Sequence, residues 1–112
     1  MTSTTHASAL FSPESEVALI GAAMYAPDRC TDAFDQLSPD AFGDPFHAVV
    51  WGEIVAIARS GGHPQPPIVR DRIGAHPGFE PWGGFNVLWS LWDKANLSAP
   101  TDQRRHNPRE AK

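Results

Sequence analysis

The chain has 112 residues, 41% of them hydrophobic and four of them tryptophan, which suits one small folded domain and excludes a disordered chain. A formal net charge of −4 argues against a free-standing duplex-DNA binder, and a single cysteine, Cys30, excludes an internal disulfide and a cysteine-based zinc site. No apolar run approaches the roughly 18 residues of a membrane-spanning helix.

Eleven prolines and nine glycines demand short elements with sharp ends. The apolar residues repeat at helical rather than alternating spacing. The expectation is an all-α fold, a small orthogonal bundle of about five helices over residues 12–97. Residues 1–11 are expected as a flexible N-terminal tail. They lack the basic start of a secretory signal, which points to a cytoplasmic protein.

The first helix is predicted over residues 13–25. Ser12 can cap it, Pro13 fits its first position, and Glu14 and Glu16 set negative charge in or near its first turn. Val17, Ile20 and Met24, widened by Leu19 and Ala23, form its apolar stripe. Gly21 borders that stripe. A glycine there weakens the helix unless another helix packs closely against it. Ala26-Pro27-Asp28 ends the helix. A short second helix is predicted over 28–37, with Cys30, Ala33, Phe34 and Leu37 facing inward. Cys30 has no partner base in sequence and reads as a small buried thiol, not a nucleophile.

Residues 38–62 hold two helix starts in succession, Ser38-Pro39 and Asp44-Pro45. The first has little room to run. The second opens a helix over 45–60 that stops at Gly61-Gly62. On this helix Phe46, Val50, Trp51, Ile54, Val55, Ile57 and Ala58 cover about half the circumference. His47 lies inside that arc. It is either a catalytic base or metal ligand, or a packed histidine with both nitrogens bonded. No other His, Cys or acid stands at ligand spacing on this helix, which favours the packed reading. Glu53, at the edge of the arc, reaches solvent or a partner.

A fourth helix is predicted over 67–74 and a loop over 75–81, with His63 and His76 as isolated loop histidines. The Pro64-x-Pro66-Pro67 run could act as a polyproline ligand, but prolines around short loops are common. The last helix is predicted over 83–96. Gly83-Gly84 is no phosphate loop, because the Gly-Lys-Ser/Thr ending is missing. Phe85, Leu88, Trp89 and Trp92 form one stripe, expected to face the core. Val87 and Leu91 lie on an adjoining face, to be covered by another helix or by a partner. Residues 98–112 read as a polar basic tail in which Arg104, Arg105 and Arg109 are candidates for weak nucleic-acid contact.

Three clusters together carry a resemblance. They are Glu16 with Leu19-Ile20-Gly21-Ala22-x-Met24; then Leu37-x-Pro39-Asp40-x-Phe42, Pro45-x-His47-x-x-Val50-Trp51 and Gly62-x-Pro64; then Gly83-Gly84 with Val87, Leu88 and Leu91. In this order and spacing the chain resembles the N-terminal domain of the DnaB-type bacterial replicative DNA helicase. It departs from that pattern at Val87, where an aromatic is usual, and at Pro66, where a capping Asp is usual.

The resemblance implies a small helical bundle that forms the collar of the ring-shaped helicase and docks primase, without catalytic residues of its own. Gly21, Phe42, His47 and Trp51 are expected to be structural, with neither cofactor nor metal. The helical hairpin, linker and ATPase domain that follow in the family are not in this sequence. The Met1 start and the Arg-rich end favour a stand-alone relative, of the kind a phage or mobile element encodes, over part of a longer helicase. The expected function is a non-catalytic interaction module of DNA replication. It would bind a replicative helicase, primase or loader, or associate with itself, through Glu53, Val87, Leu91 and Trp92. The alternative is a nucleic-acid accessory protein using its basic C-terminal tail.

Overall fold

A computed structural model describes residues 12–98 and builds them from helices and tight turns, with no strand among these residues. Helix α1 (Pro13–Tyr25) starts where its cap predicts, with the Ser12 hydroxyl accepting from the Ser15 amide at 3.1 Å. The expected helix over 28–37 is split into a 3-10 turn (Pro27–Arg29) and α2 (Thr31–Gln36). Pro27 drives the preceding Ala26 out of helical geometry (φ −139°, ψ 72°), and Cys30 (φ −111°, ψ 15°) separates the two pieces. Ser38-Pro39 yields only a 3-10 turn (Pro39–Ala41). Ser38 takes an extended backbone there but makes no side-chain capping bond.

Asp44 caps α3 (Pro45–Arg59), its Oδ1 accepting from the amides of Phe46 (2.8 Å) and His47 (3.3 Å). The helix closes with a paired-carbonyl stop. Gly61 takes φ +93°, its amide reaches the Ala58 carbonyl at 3.1 Å, and the Gly62 amide reaches Ile57 at 2.9 Å. The loop that follows is tied back by His63, whose Nε2 donates to the Met24 carbonyl at 3.2 Å. Helix α4 (Pro66–Ile73) opens on the Pro66-Pro67 pair in its first turn.

Residues 75–81, expected as a loop, instead lead into a single helical turn, α5 (Phe79–Trp82). Phe79 is buried and anchors that turn, and His76 Nδ1 accepts from the Gly78 amide at 2.9 Å just before it. Gly83 (φ +126°) and Gly84 (φ +67°) then turn the chain into α6 (Gly84–Leu97).

Helices α1, α3, α4 and α6 each pack on the next in a closed circuit, with α6 lying chiefly against α1 and α4. The core fills the centre. Trp51 is fully buried between Phe34 and Phe42, with ring centroids 5.5 and 5.3 Å away, and its indole donates to the Leu37 carbonyl at 2.9 Å. Ile20, Met24, Val50, Ile54, Val69 and Leu88 complete the core. A Cβ added to Gly21 would stand 2.5 Å from the Leu91 carbonyl oxygen, so glycine is what lets α1 and α6 touch backbone to backbone.

Candidate interaction surface

Among the described residues two polar or charged side chains, Glu16 and His47, are buried inside the bundle, and they meet. Glu16 (1% exposed) points inward from α1, and His47 (4%) from α3. His47 Nδ1 lies 2.8 Å from Glu16 Oε1, and Trp82 Nε1 lies 3.0 Å from His47 Nε2. An indole N–H only donates, so Nε2 must be the accepting nitrogen and the imidazole hydrogen sits on Nδ1, aimed at the carboxylate. Glu16 also accepts from the Gly43 amide at 2.6 Å and the Asp44 amide at 3.3 Å. One buried carboxylate thus ties together α1, the turn before α3, His47 and, through the ring, α5. Sequence reading placed Glu16 in or near a helix first turn and in the first cluster of the resemblance, and did not connect it to His47 or Trp82. An acid four positions after the N-cap Ser12, at the head of an inward stripe, was the available signal.

Glu53 is partly exposed and paired with Arg72 at 3.0 Å, so its carboxylate links α3 to α4. Cys30 is half-buried, and burial first, then the Asp28 carboxylate, push its thiol above the ordinary value. Among the described residues no group of three or more His, Cys, Asp or Glu could hold a metal ion, and no helix is long and apolar enough to cross a membrane. Arg104, Arg105 and Arg109 lie outside the described residues.

The last helix is rotated from the expected orientation. Its buried residues are Gly84, Leu88 and Leu91. Leu91, an interface candidate whose alternative cover was another helix, is covered by α1 at Gly21, and Val87 is half-buried beside Gly83. Trp89, expected to face the core, is 39% exposed. The cause is that α6 packs between α1 and α4, which draws the Leu88–Leu91 side inward.

The outward flank of α6 therefore carries a row of aromatic rings. Phe85 and Trp89 are 6.1 Å apart, Trp89 and Trp92 5.8 Å, and Trp92 meets Tyr25 of α1 at 5.1 Å, all edge to face. The Arg70 guanidinium caps the row 4.5 Å above the Phe85 ring. Trp92, a sequence candidate for an interface, is part of this row and half-buried. Beside it, sharing Tyr25, an apolar groove of about 460 Å³ runs between α1 and α6.

A family model described as DnaB-like helicase N terminal domain matches residues 8–103. No curated protein matches the chain, and no solved structure matches it.

Proposed function

We propose that this chain, which belongs to the DnaB-like helicase N-terminal domain family, is a non-catalytic docking module that holds a helicase, primase or loader-type protein at the replication machinery. The observation that carries the reading is the aromatic row on α6. Mutually braced Trp, Phe and Tyr side chains, with Trp89 exposed and Phe85, Trp92 and Tyr25 half-buried beside it, offer large apolar area at little cost in side-chain entropy, and such residues dominate binding energy at protein interfaces. Arg70 at one end supplies a directional charge. The node of Glu16, His47 and Trp82 serves this surface indirectly, by fixing α5 and thereby the start of α6. On this reading the module works in the cytoplasm, inside a primosome-like assembly, and hydrolyses no nucleotide.

The alternative, a nucleic-acid accessory role, draws on the same aromatic row, since bases stack on exposed rings. The net charge of −4 weighs against it. One experiment separates the two. The parent protein and Trp89→Lys are titrated against purified replicative helicase, primase and loader, and against single-stranded DNA at low salt. Binding to one of the proteins that Trp89→Lys abolishes, with the melting curve retained, supports docking. Binding to DNA alone supports the alternative, and binding to nothing removes both.

A further inference from the structure

The aromatic row carries hydrogen-bonding groups as well as rings. Of the four tryptophans, Trp51 and Trp82 aim their indole N–H into the fold, at the Leu37 carbonyl and at His47. Trp89 and Trp92 donate to no acceptor among the described residues, and the Tyr25 hydroxyl has no partner there either. Charge marks the two ends. The Arg70 guanidinium lies over Phe85, with its side chain 45% exposed and only the adjacent Asp71 carboxylate near it, at 3.6 Å. Towards the other end stands Asp93, exposed and without an ion-pair partner among the described residues. It follows Trp89 by four positions and so shares its side of α6. The row is thus a short track of rings and free donors, positive at the Phe85 end and negative towards Trp92.

The ring planes decide what can lie on such a track. Successive rings are inclined at 64°, 72° and 73°. A stacked run of bases needs ring faces presented in step, and here each ring turns its face across that of the next. A helical partner has its carbonyls engaged in its own ladder and would leave the two indole donors unmet. Crossed rings instead form crevices, one on each side of Trp89, where centroids follow one another at 6.1 and 5.8 Å. A polyproline II segment advances about 6 Å over two residues, and with three residues per turn its positions i and i+2 flank one side. Its pyrrolidine rings are apolar and already ordered, and its backbone carbonyls are free to accept. Phe85 to Asp93 spans about 12 Å of helix, the length of about four residues in that conformation. The chain's own Pro64-x-Pro66-Pro67 run is not the ligand, since Pro64 and Pro66 are fully buried. We infer, resting on the docking reading of this row, that it holds a proline-rich polyproline II segment of a partner protein. Two prolines enter the crevices beside Trp89, backbone carbonyls accept from the Trp89 and Trp92 indoles, and an acid and a base flanking the prolines meet Arg70 and Asp93.

The test titrates the full chain with a peptide of core Asp-Pro-Ala-Pro-Lys and with the same peptide carrying alanine at both proline positions. In nitrogen–proton NMR spectra the first peptide shifts the indole N–H signals of Trp89 and Trp92 and leaves those of Trp51 and Trp82, which are bonded inside the fold, in place. Loss of the prolines weakens binding about tenfold or more, because the segment is no longer ordered in advance. Trp89→Phe keeps a ring and loses the N–H, and weakens binding about three- to tenfold with the melting curve unchanged. Arg70→Glu weakens binding of the Asp peptide, and a peptide with Lys in place of that Asp recovers it, which a merely misfolded variant would not do. No binding, equal binding of the proline and alanine peptides, shifts at Trp51 and Trp82 instead, or binding of oligothymidine but of neither peptide would overturn the proposal. A helicase, primase or loader that binds through Trp89 and is not displaced by the peptide also overturns it, and leaves the docking reading standing. Peptide binding at the row with none of those three proteins bound supports the proline reading alone, so the two fail separately.

Discussion

Gly21 and Leu91 touch through main chain: a Cβ on Gly21 would lie 2.5 Å from the Leu91 carbonyl oxygen and 3.3 Å from the Leu91 Cβ. In an exposed helix, Gly→Ala would stabilise by about 1 kcal/mol. Here the atom in the way is backbone, which cannot swing aside. Gly21→Ala should therefore destabilise by about 1–3 kcal/mol, as overpacking does, and lower the melting temperature by roughly 5 °C or more. A melting point that rises would show that α1 and α6 do not pack this tightly.

The buried node gives a graded series. Trp82→Phe keeps the ring and loses one hydrogen bond, at about 1 kcal/mol. His47→Ala removes the ring and leaves both Glu16 and the Trp82 indole short of a partner, at about 1–3 kcal/mol. Glu16→Ala strands the Gly43 and Asp44 amides together with the His47 Nδ1 hydrogen, and should cost the most, about 3 kcal/mol. Urea unfolding of the three variants orders them. Equal costs would mean that Glu16 is not the centre of the node.

Cys30 offers a prediction of pH dependence. Burial and the neighbouring Asp28 carboxylate disfavour the thiolate and raise the thiol's value from 9.0. A raised value means less thiolate at any given mildly alkaline pH, so alkylation by iodoacetamide at pH 8 should run slower than for free cysteine and catch up only as pH rises further. Asp28→Asn removes the second cause and should speed the reaction modestly, while leaving the burial effect in place. A Cys30 that reacts faster than the free amino acid would contradict this environment.

Much of the fold was legible because its signals are local. Ser12 and Asp44 cap their helices through bonds to nearby amides, and Gly61-Gly62 stops α3 through a conformation that glycine alone adopts easily. What the sequence hid was set by tertiary packing. The split at Cys30 and the single turn at Phe79–Trp82 depend on which side chains find a buried seat. The link from Glu16 to His47 spans 31 positions, and neither residue advertises the other. The orientation of α6 was hard to read for a related reason. An apolar sector wider than the roughly 100° stripe of a one-sided helix does not say which half faces in.

That ambiguity yields the last prediction. Leu88 and Trp89 are neighbours on α6, and the expected stripe put both in the core. The structure separates them, with Leu88 fully buried and Trp89 at the surface. Size alone would make the tryptophan the more damaging loss, since Trp→Ala in a core costs about 3–5 kcal/mol and Leu→Ala about 2–5. The observed orientation reverses the order. Leu88→Ala opens a cavity among α1, α4 and α6 and should cost about 3 kcal/mol. Trp89→Ala removes edge-to-face contacts with Phe85 and Trp92 but leaves no enclosed void, and should cost about 1 kcal/mol. The same pair sorts function from stability. Trp89→Ala should keep the cooperative melt and lose partner binding, because the ring is the centre of the exposed row. Leu88→Ala should lower the melt and, at temperatures where it stays folded, bind nearly as well as the parent. Chemical denaturation and binding measured on both variants read all four quantities. If Trp89→Ala is the more destabilising of the two, α6 is rotated the other way and the exposed aromatic row does not exist.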